Sequence, residues 1–186
     1  MNIPVFLAAD NNYAPFVATT IASICDNTKS FVDFYVLDGG ITQPLQAKIL
    51  ALQNQFSNCQ IEFISIDLAQ AFHSIEYKNH SDAVTVSTYS RFLIPKLKPH
   101  LQKIIYLDTD IIVLGDIANL YAIDLDQYAG AFVPDQCPMF FTDEIKTKMH
   151  MAPEHVYFNA GVMLLDNHKW VENHILEQLF PLMVRD

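Results

Sequence analysis

The stretch Lys103-Ile104-Ile105-Tyr106-Leu107-Asp108-Thr109-Asp110 decides the fold, because an apolar strand in it runs directly into two carboxylates. A nearly continuous apolar strand is typical of a sheet that is covered on both faces, and open α/β sheets bind ligands beyond the carboxyl ends of such strands. Side chains alternate along a strand with a period of two, which aims Asp108 and Asp110 toward the same face. The pair is therefore either an acidic turn or a clamp for a hard divalent cation such as Mg²⁺ or Mn²⁺.

The composition is that of one globular, acidic domain. The chain has 186 residues, of which 51% are hydrophobic and 17% charged, and its formal net charge is -10. This length and composition allow one sizeable core and exclude wholesale disorder. The negative charge argues against nucleic acid or an anionic membrane as the main partner, since both require clustered Lys and Arg. A diphosphate ligand would need a cation between itself and this protein, which suits the two aspartates.

The cysteines and the apolar runs indicate where the chain operates. Cys25, Cys59 and Cys137 are odd in number, far apart and without Cys-x-x-Cys spacing, so they predict neither a disulfide framework nor a zinc site. A reduced cytosolic setting is the simplest interpretation. No apolar run approaches the length of a membrane span, and we therefore expect no membrane-spanning segment. The sequence leaves the oligomeric state open.

Strand-like and helix-like patterns alternate along the chain. Short apolar runs predict strands over residues 3–9, 31–37, 61–66, 103–107, 129–133 and 158–165. Helical spacing, as of Phe16, Thr20 and Ile24, predicts helices over 13–27, 42–56, 88–93, 117–121, 143–149 and from 167 onward. Residues 68–86 show no clean period and predict a long loop. Strands separated by helices of this length pair in parallel, so we expect an α/β fold with a mainly parallel central sheet flanked by helices.

Four stretches, in this order and with this spacing, resemble glycosyltransferase family 8. They are Ala-Ala-Asp-Asn-Asn-Tyr-Ala at 8–14, Ser-Thr-Tyr-Ser-Arg-Phe at 87–92, Tyr-Leu-Asp-Thr-Asp at 106–110 and Tyr-Phe-Asn-Ala-Gly-Val at 157–162. Within the family the sequence looks most like the bacterial lipopolysaccharide α-galactosyl- and α-glucosyltransferases. The resemblance extends from about residue 3 to about residue 175. One Asp-x-Asp would be a weak signal, whereas four ordered motifs are specific.

The resemblance implies a fold, a cofactor and a reaction. The family has a nucleotide-sugar-binding fold of the GT-A type and transfers a sugar from a UDP-sugar with retention of anomeric configuration. By resemblance, Asp108 and Asp110 coordinate Mn²⁺, for which Mg²⁺ can substitute, and the backbone at Thr109 lies near the ribose. The implied donor is UDP-galactose or UDP-glucose. The implied acceptor is an oligosaccharide or the lipopolysaccharide core, in lipopolysaccharide or lipooligosaccharide biosynthesis.

The first βα turn would hold the uridine. By resemblance, Ala8 lies against the nucleotide, Asp10 accepts from the uracil N3–H, Asn12 contacts the ribose, and Tyr13 stacks on the base. An acceptor at N3 distinguishes uracil from cytosine, whose N3 carries no proton. The alternative is that Asp10 or Asn12 only caps the helix and that Tyr13 packs.

Further positions match the parts of the family that face the sugars. Arg91 would face the nucleotide sugar and the acidic motif, and its alternative is a surface arginine; a guanidinium suits both carboxylate and phosphate. Asn159, Ala160 and Gly161 would touch the donor sugar, unless they are an ordinary strand entry. Asp135, at the end of a predicted strand, is placed near the acceptor. We expect His73 and His80, in the long loop, to be solvated.

Two later motifs of the family cannot be matched to this sequence. Its Asp-Gln-Asp-like segment and its His-x-x-Gly-x-x-Lys-Pro-Trp motif have no counterpart within 167–186. We therefore expect a single domain over 1–186 that is incomplete at its C-terminus, cytoplasmic, and peripheral to the inner membrane in its full-length form. The alternatives are a non-catalytic nucleotide-sugar-binding remnant and an aspartyl-nucleophile phosphohydrolase, which also uses Asp-x-Asp after an apolar strand.

Overall fold

The protein is built around a central six-stranded sheet, as seen in a computed structural model that describes residues 2–66, 86–136 and 141–183. The strands are β1 (Ile3–Ala9), β2 (Val32–Asp38), β3 (Cys59–Ser65), β4 (Lys103–Leu107), β5 (Gly130–Pro134) and β6 (Phe158–Asp166). Their order across the sheet is β3-β2-β1-β4-β6-β5. Each predicted strand is present, with ends that differ from the prediction by at most two residues.

The sheet is mainly parallel, which confirms the predicted α/β class. β1 pairs in parallel with β2 and β4, and β2 with β3, while β6 runs antiparallel between β4 and β5. The chain moves outward from β1 to β3 and then returns to place β4 on the other side of β1. The carboxyl ends of β1 and β4 therefore flank a topological switch point, where open α/β sheets bind their ligands.

Helices cover both faces of the sheet. The α-helices are α1 (Ala14–Asn27), α2 (Gln43–Leu50), α3 (Ile94–Leu97), α4 (Ile117–Tyr121), α5 (Asp143–Lys148), α6 (Asn167–Glu172) and α7 (Ile175–Met183), with 3₁₀ segments at Ala51–Asn54 and Val86–Leu93. Along β1, Val5 and Leu7 pack into the cluster on one face, and Phe6 packs into the cluster on the other. A strand buried on both sides must be apolar at every position, which explains the continuous apolar run.

Three helical details differ from the sequence prediction. The helix expected over 42–56 is α2 followed by a 3₁₀ segment at Ala51–Asn54. The helix expected to stop before Pro95 is a 3₁₀ segment, and Pro95 lies in the first turn of α3, where its missing N–H costs no hydrogen bond. The last predicted helix is split into α6 and α7 at His174, which has a φ of 51°. That left-handed conformation ends a helix, and a hydrophobic pattern alone cannot reveal it.

Only two of the three residues named for the helical spacing of α1 are buried. Thr20 and Ile24 are fully buried, whereas Phe16 is 49% exposed and lies beside Tyr13 with 5.6 Å between the ring centroids. The predicted loop over 68–86, with His73 and His80, lies almost wholly outside the described residues. Within the described ranges, none of the helices is long and apolar enough to cross a membrane.

Candidate functional site

The acidic turn begins where the β4 ladder ends. The backbone N–H of Asp108 donates to the carbonyl oxygen of Gly161 on β6 at 2.8 Å, so Asp108 is still held by the sheet. Thr109 is buried and Asp110 is exposed. One carboxylate is thus anchored to the sheet, and the other projects from a turn at its edge.

Two buried side chains hold one oxygen of Asp108. Its Oδ1 accepts from the Tyr106 hydroxyl at 2.9 Å and lies 3.0 Å from the Nη2 of Arg91. The Nη1 of Arg91 donates to the carbonyl oxygen of Ala160 at 2.6 Å, and the guanidinium carbon lies 4.5 Å from the centre of the Tyr106 ring. Arg91 is only 8% exposed, so the surface-arginine alternative is wrong. It faces the acidic motif, as predicted.

The protonation of Tyr106 suits its role as a donor. Burial raises the pKa of its phenol, the Arg91 guanidinium lowers it, and the Asp108 carboxylate raises it again, for a net shift well above the ordinary range. The hydroxyl therefore keeps its proton at any physiological pH and donates it to Asp108. This residue was not among the predicted site residues, because a tyrosine in an apolar strand is indistinguishable from a packing residue.

Gly161 allows the close approach of Asp108. A Cβ atom on Gly161 would lie 2.7 Å from the Oδ2 of Asp108 and 2.9 Å from the Oδ1 of Asn159. That same Asn159 oxygen accepts from the N–H of Gly161 at 2.7 Å. The Asn-Ala-Gly motif therefore shapes the space in front of Asp108, beyond forming an ordinary strand entry.

We expect Gly161→Ala to destabilise the protein by about 1–3 kcal/mol, because the added methyl group overlaps two side chains that are themselves fixed by hydrogen bonds. Gly115→Ala is the matched control, since a Cβ at Gly115 meets nothing within 4 Å. The free energy of unfolding in urea measures both. Equal stability of the two variants would mean that Asp108 moves away at little cost.

The first βα turn contains the predicted uridine residues. The Oδ1 of Asp10 accepts from the backbone N–H groups of Asn12 at 2.9 Å and Tyr13 at 3.1 Å, so Asp10 does cap the turn before α1. Its Oδ2 accepts no hydrogen bond within the described part of the chain. Tyr13 is 51% exposed and lies beside the half-exposed ring of Phe16, so it is not part of the core. Asp10 can therefore hold the turn with one oxygen and accept from a ligand with the other.

The two turns lie side by side. In the parallel pairing of β1 with β4, Phe6 is the partner of Tyr106. From this pair β1 continues to Ala9 and β4 to Leu107, so the two strands end close to each other. The first βα turn and the acidic turn consequently leave adjacent strands at the same edge of the sheet.

Asp135 lies at this edge as well. It follows β5 directly, and its backbone N–H donates to the carbonyl oxygen of Tyr157 at 3.0 Å. Because β5 and β4 are both antiparallel to β6, the two strands end on the same side. Asn159 is paired with Val133 in the β5–β6 ladder and stands two residues before Gly161. All the predicted positions thus meet at one edge of the sheet.

Thr20 is a residue of the site that the sequence did not reveal. It is 0% exposed, and its Oγ1 lies 2.7 Å from the carbonyl oxygen of Thr109 and 2.9 Å from that of Ile111. Its single hydroxyl hydrogen can donate to either. The sequence feature that could have indicated this role is a threonine on the face of α1 predicted to be buried, since a buried hydroxyl needs a hydrogen-bond partner.

The chemistry of the donor set fits a divalent cation. Asp108 Oδ2 and the carboxylate of Asp110 are hard oxygen ligands on one turn, and such a pair commonly holds Mg²⁺ or Mn²⁺ together with substrate phosphates. Among the described residues, no group of three or more His, Cys, Asp and Glu side chains is placed to hold a metal ion. The remaining coordination positions would fall to water and phosphate oxygens.

A mainly parallel sheet of this order, with an Asp-x-Asp turn at its switch point, matches the GT-A fold. The chain belongs to glycosyl transferase family 8, whose sequence model matches residues 4–186. Its fold resembles the crystal structure of the galactosyltransferase LgtC in complex with donor and acceptor sugar analogs, with a TM-score of 0.81 and 24% identity, over 99% of this chain and 67% of that one.

Curated relatives agree with the family. The chain is 31% identical to general stress protein A of Bacillus subtilis (strain 168), covering 92% of this chain and 58% of that protein. It is 32% identical to the glycosyltransferase GlyF of Streptococcus pneumoniae serotype 4, covering 98% of this chain and 41% of that protein. The chain thus spans about half the length of the curated relatives it matches.

Proposed function

We propose that the protein transfers a hexose, galactose or glucose, from a UDP-sugar to a saccharide acceptor with retention of configuration. The observation that carries the proposal is the side-by-side placement of the first βα turn and the acidic turn at the switch point of the sheet. One turn offers a carboxylate oxygen and an exposed aromatic ring, and the other offers two carboxylates. A uridine and a diphosphate joined in one ligand need that pair of surfaces next to each other.

In this proposal Asp108 and Asp110 hold Mn²⁺, or Mg²⁺ in its place. A cation bound there would neutralise the charge that develops on the departing diphosphate. Arg91 and Tyr106 fix Oδ1 of Asp108, which leaves Oδ2 facing the space in front of Gly161. The chain therefore presents a fixed oxygen ligand, and it does not have to reorganise when the donor binds.

The nucleotide is assigned to the first turn. Asp10 Oδ2 would accept from the uracil N3–H, and Tyr13 would stack on the base from its exposed position at the start of α1. Asn12 and the backbone of Thr109 would contact the ribose, and Ala8 would lie against the nucleotide. Such a set favours uracil over cytosine because Asp10 is an acceptor only.

The sugars are assigned to the β5–β6 end of the same edge. Asn159, Ala160 and Gly161 would contact the donor hexose, and Asp135 would lie toward the acceptor. Two routes to retention remain open: a covalent intermediate on the protein, or same-face attack in which the leaving phosphate accepts the acceptor's proton. The second route needs no dedicated general base.

The wider setting is part of the proposal. We place the acceptor among oligosaccharides or the lipopolysaccharide core, which is supported by the resemblance to a galactosyltransferase solved with donor and acceptor sugar analogs. We treat 1–186 as one nucleotide-sugar-binding domain of a cytoplasmic protein that works at the inner membrane. Because the chain spans only about half the length of these relatives, the reaction of the whole protein is also a proposal.

Thermal shift and product assays test the function. The protein is incubated with UDP-galactose, UDP-glucose or GDP-mannose, with and without Mn²⁺, and transfer to an oligosaccharide acceptor is measured in parallel. We expect either UDP-sugar with Mn²⁺ to raise Tm by about 5 °C or more at a hundredfold excess over Kd, and GDP-mannose to have little effect. Transfer should occur only in the metal-containing samples.

The other outcomes separate the alternatives. Binding of a UDP-sugar without transfer would support the non-catalytic remnant. Hydrolysis of a simple phosphomonoester with no response to any UDP compound would support the aspartyl-nucleophile phosphohydrolase. A Tm that no uridine nucleotide changes would overturn both sugar-nucleotide proposals.

A further inference from the structure

The segment after the acidic pair is held by one helix. Residues 109–114 form neither helix nor strand, so they have no ladder of their own to satisfy their backbone groups. Side chains of α1 supply partners instead. The hydroxyl of Thr20 lies within hydrogen-bond distance of the carbonyl oxygens of Thr109 and Ile111, at 2.7 and 2.9 Å, on either side of Asp110.

Two further side chains of α1 continue the contact. The backbone N–H of Val113 donates to the Oγ of Ser23 at 3.0 Å, and the Nδ2 of Asn27 donates to the carbonyl oxygen of Val113 at 3.0 Å. Thr20, Ser23 and Asn27 stand three and four residues apart, which places them on one face of the helix. We call these three residues the polar face of α1. It fixes both ends of the segment that carries Asp110.

The same helix begins at the first βα turn. Tyr13 immediately precedes α1, and Thr20 lies seven residues later, or about 10 Å along the helix axis. A single rigid element therefore carries the exposed aromatic ring at its start and the anchor of the acidic turn in its middle.

We propose that Thr20 is a positioning residue for the cation ligand Asp110, with Ser23 as its support. The inference deepens the proposed function and rests on it for the identity of the ligand. Thr20 touches neither substrate nor cation and acts through the two carbonyl groups that flank Asp110. Its hydroxyl carries the role, since that is the group that reaches the two carbonyl oxygens.

Thr20→Val tests the role because valine keeps the shape of threonine and removes only the hydroxyl. Titration with Mn²⁺ in the presence of UDP, followed by the EPR signal of free Mn²⁺, measures cation affinity. We expect Thr20→Val to weaken Mn²⁺ binding about five- to tenfold, while UDP binding without metal changes less than about twofold. Thr20→Ser should restore Mn²⁺ affinity to within about twofold of the original protein.

Thr19→Val is the matched control. Thr19 is exposed on the same turn of α1, and its hydroxyl donates to the carbonyl oxygen of Pro15 at 3.2 Å, within its own helix. We expect it to leave Mn²⁺ binding unchanged. Equal effects of Thr19→Val and Thr20→Val, or a loss of metal-free UDP binding as large as the loss of Mn²⁺ binding, would show that Thr20 only stabilises the helix.

Hydrogen exchange separates this inference from the proposed function. Thr20→Val, and Ser23→Ala if the first variant does not fold, should speed exchange of the Val113 amide while β1 amides keep their rates. Unchanged exchange at Val113 overturns the inference even if the protein transfers sugar. If the variant exchanges faster at Val113 but the original protein binds no Mn²⁺ in the presence of UDP, the proposed function is overturned. The polar face of α1 would then be a structural anchor with no role toward a ligand.

Discussion

Asp110→Asn is expected to reduce Mn²⁺-dependent sugar transfer about 10²- to 10³-fold. An amide is a weaker ligand than a carboxylate for a hard cation, and the substitution removes one of the two negative charges that we assign to the metal. Asp110 is exposed, so its replacement should change the free energy of unfolding by no more than about 0.5 kcal/mol. Initial rates across a Mn²⁺ titration, together with urea unfolding, measure both effects.

Asp26→Asn is the control for that substitution. Asp26 is exposed near the end of α1, and its replacement changes the net charge by the same amount. If Asp26→Asn lowered the rate as much as Asp110→Asn, the effect would come from the overall field of the acidic protein. A rate for Asp110→Asn within about threefold of the original would remove Asp110 from the set of metal ligands.

Asp108 needs a different substitution strategy from Asp110. Its Oδ1 is held by Arg91 and Tyr106, both buried, so removing the carboxylate would also take the opposite charge away from a buried guanidinium. Such a loss costs about 3–5 kcal/mol and would mix stability with catalysis. Asp110 therefore gives the cleaner test of the metal, and Arg91 the cleaner test of how Asp108 is held.

The strand ends were predictable from the sequence because they depend on local composition. A strand buried on both faces has to be apolar at each position, and it stops where polar residues begin, as at Asp10 and Asp108. Parallel strands end at a common edge, so the fold class places both turns at that edge, whereas their adjacency depends on the order of the strands. The family resemblance, which the family model confirms, led to the proposal that a nucleotide sugar binds at that edge.

The sheet order and the contacts behind the acidic turn were not predictable in this way. Nothing in the pattern of β6 shows that it runs antiparallel between β4 and β5, since both faces of that strand are also mostly apolar. The bond from Thr20 to Thr109 joins residues 89 positions apart, and no local period encodes it. Arg91 could be placed near the acidic motif by resemblance, but its burial depends on the packing of the whole sheet edge.

Arg91→Lys is expected to lower turnover about 10²-fold or more while the protein stays folded. The guanidinium uses Nη2 for Asp108, Nη1 for the carbonyl of Ala160 and its flat face for the ring of Tyr106. An ammonium group has one nitrogen and no flat face, so lysine keeps the charge but loses the geometry that joins β4 to β6. The kcat at saturating UDP-sugar and the Tm of the variant are the measurements.

Lys98→Arg serves as the control for Arg91→Lys, because it makes the reverse exchange in a similar setting. Lys98 forms an ion pair with Glu62, and its ammonium group lies over the ring of Tyr35. We expect that variant to keep its turnover. If Arg91→Lys kept its turnover as well, one positive charge near Asp108 would be sufficient. The paired contacts of the Arg91 guanidinium with Asp108 and Ala160 would then have no part in catalysis. A fall in turnover with a Tm close to the original would instead show that these paired contacts hold Asp108 in position for the cation. The burial of Arg91 and its contacts with Asp108 and Ala160 support that role.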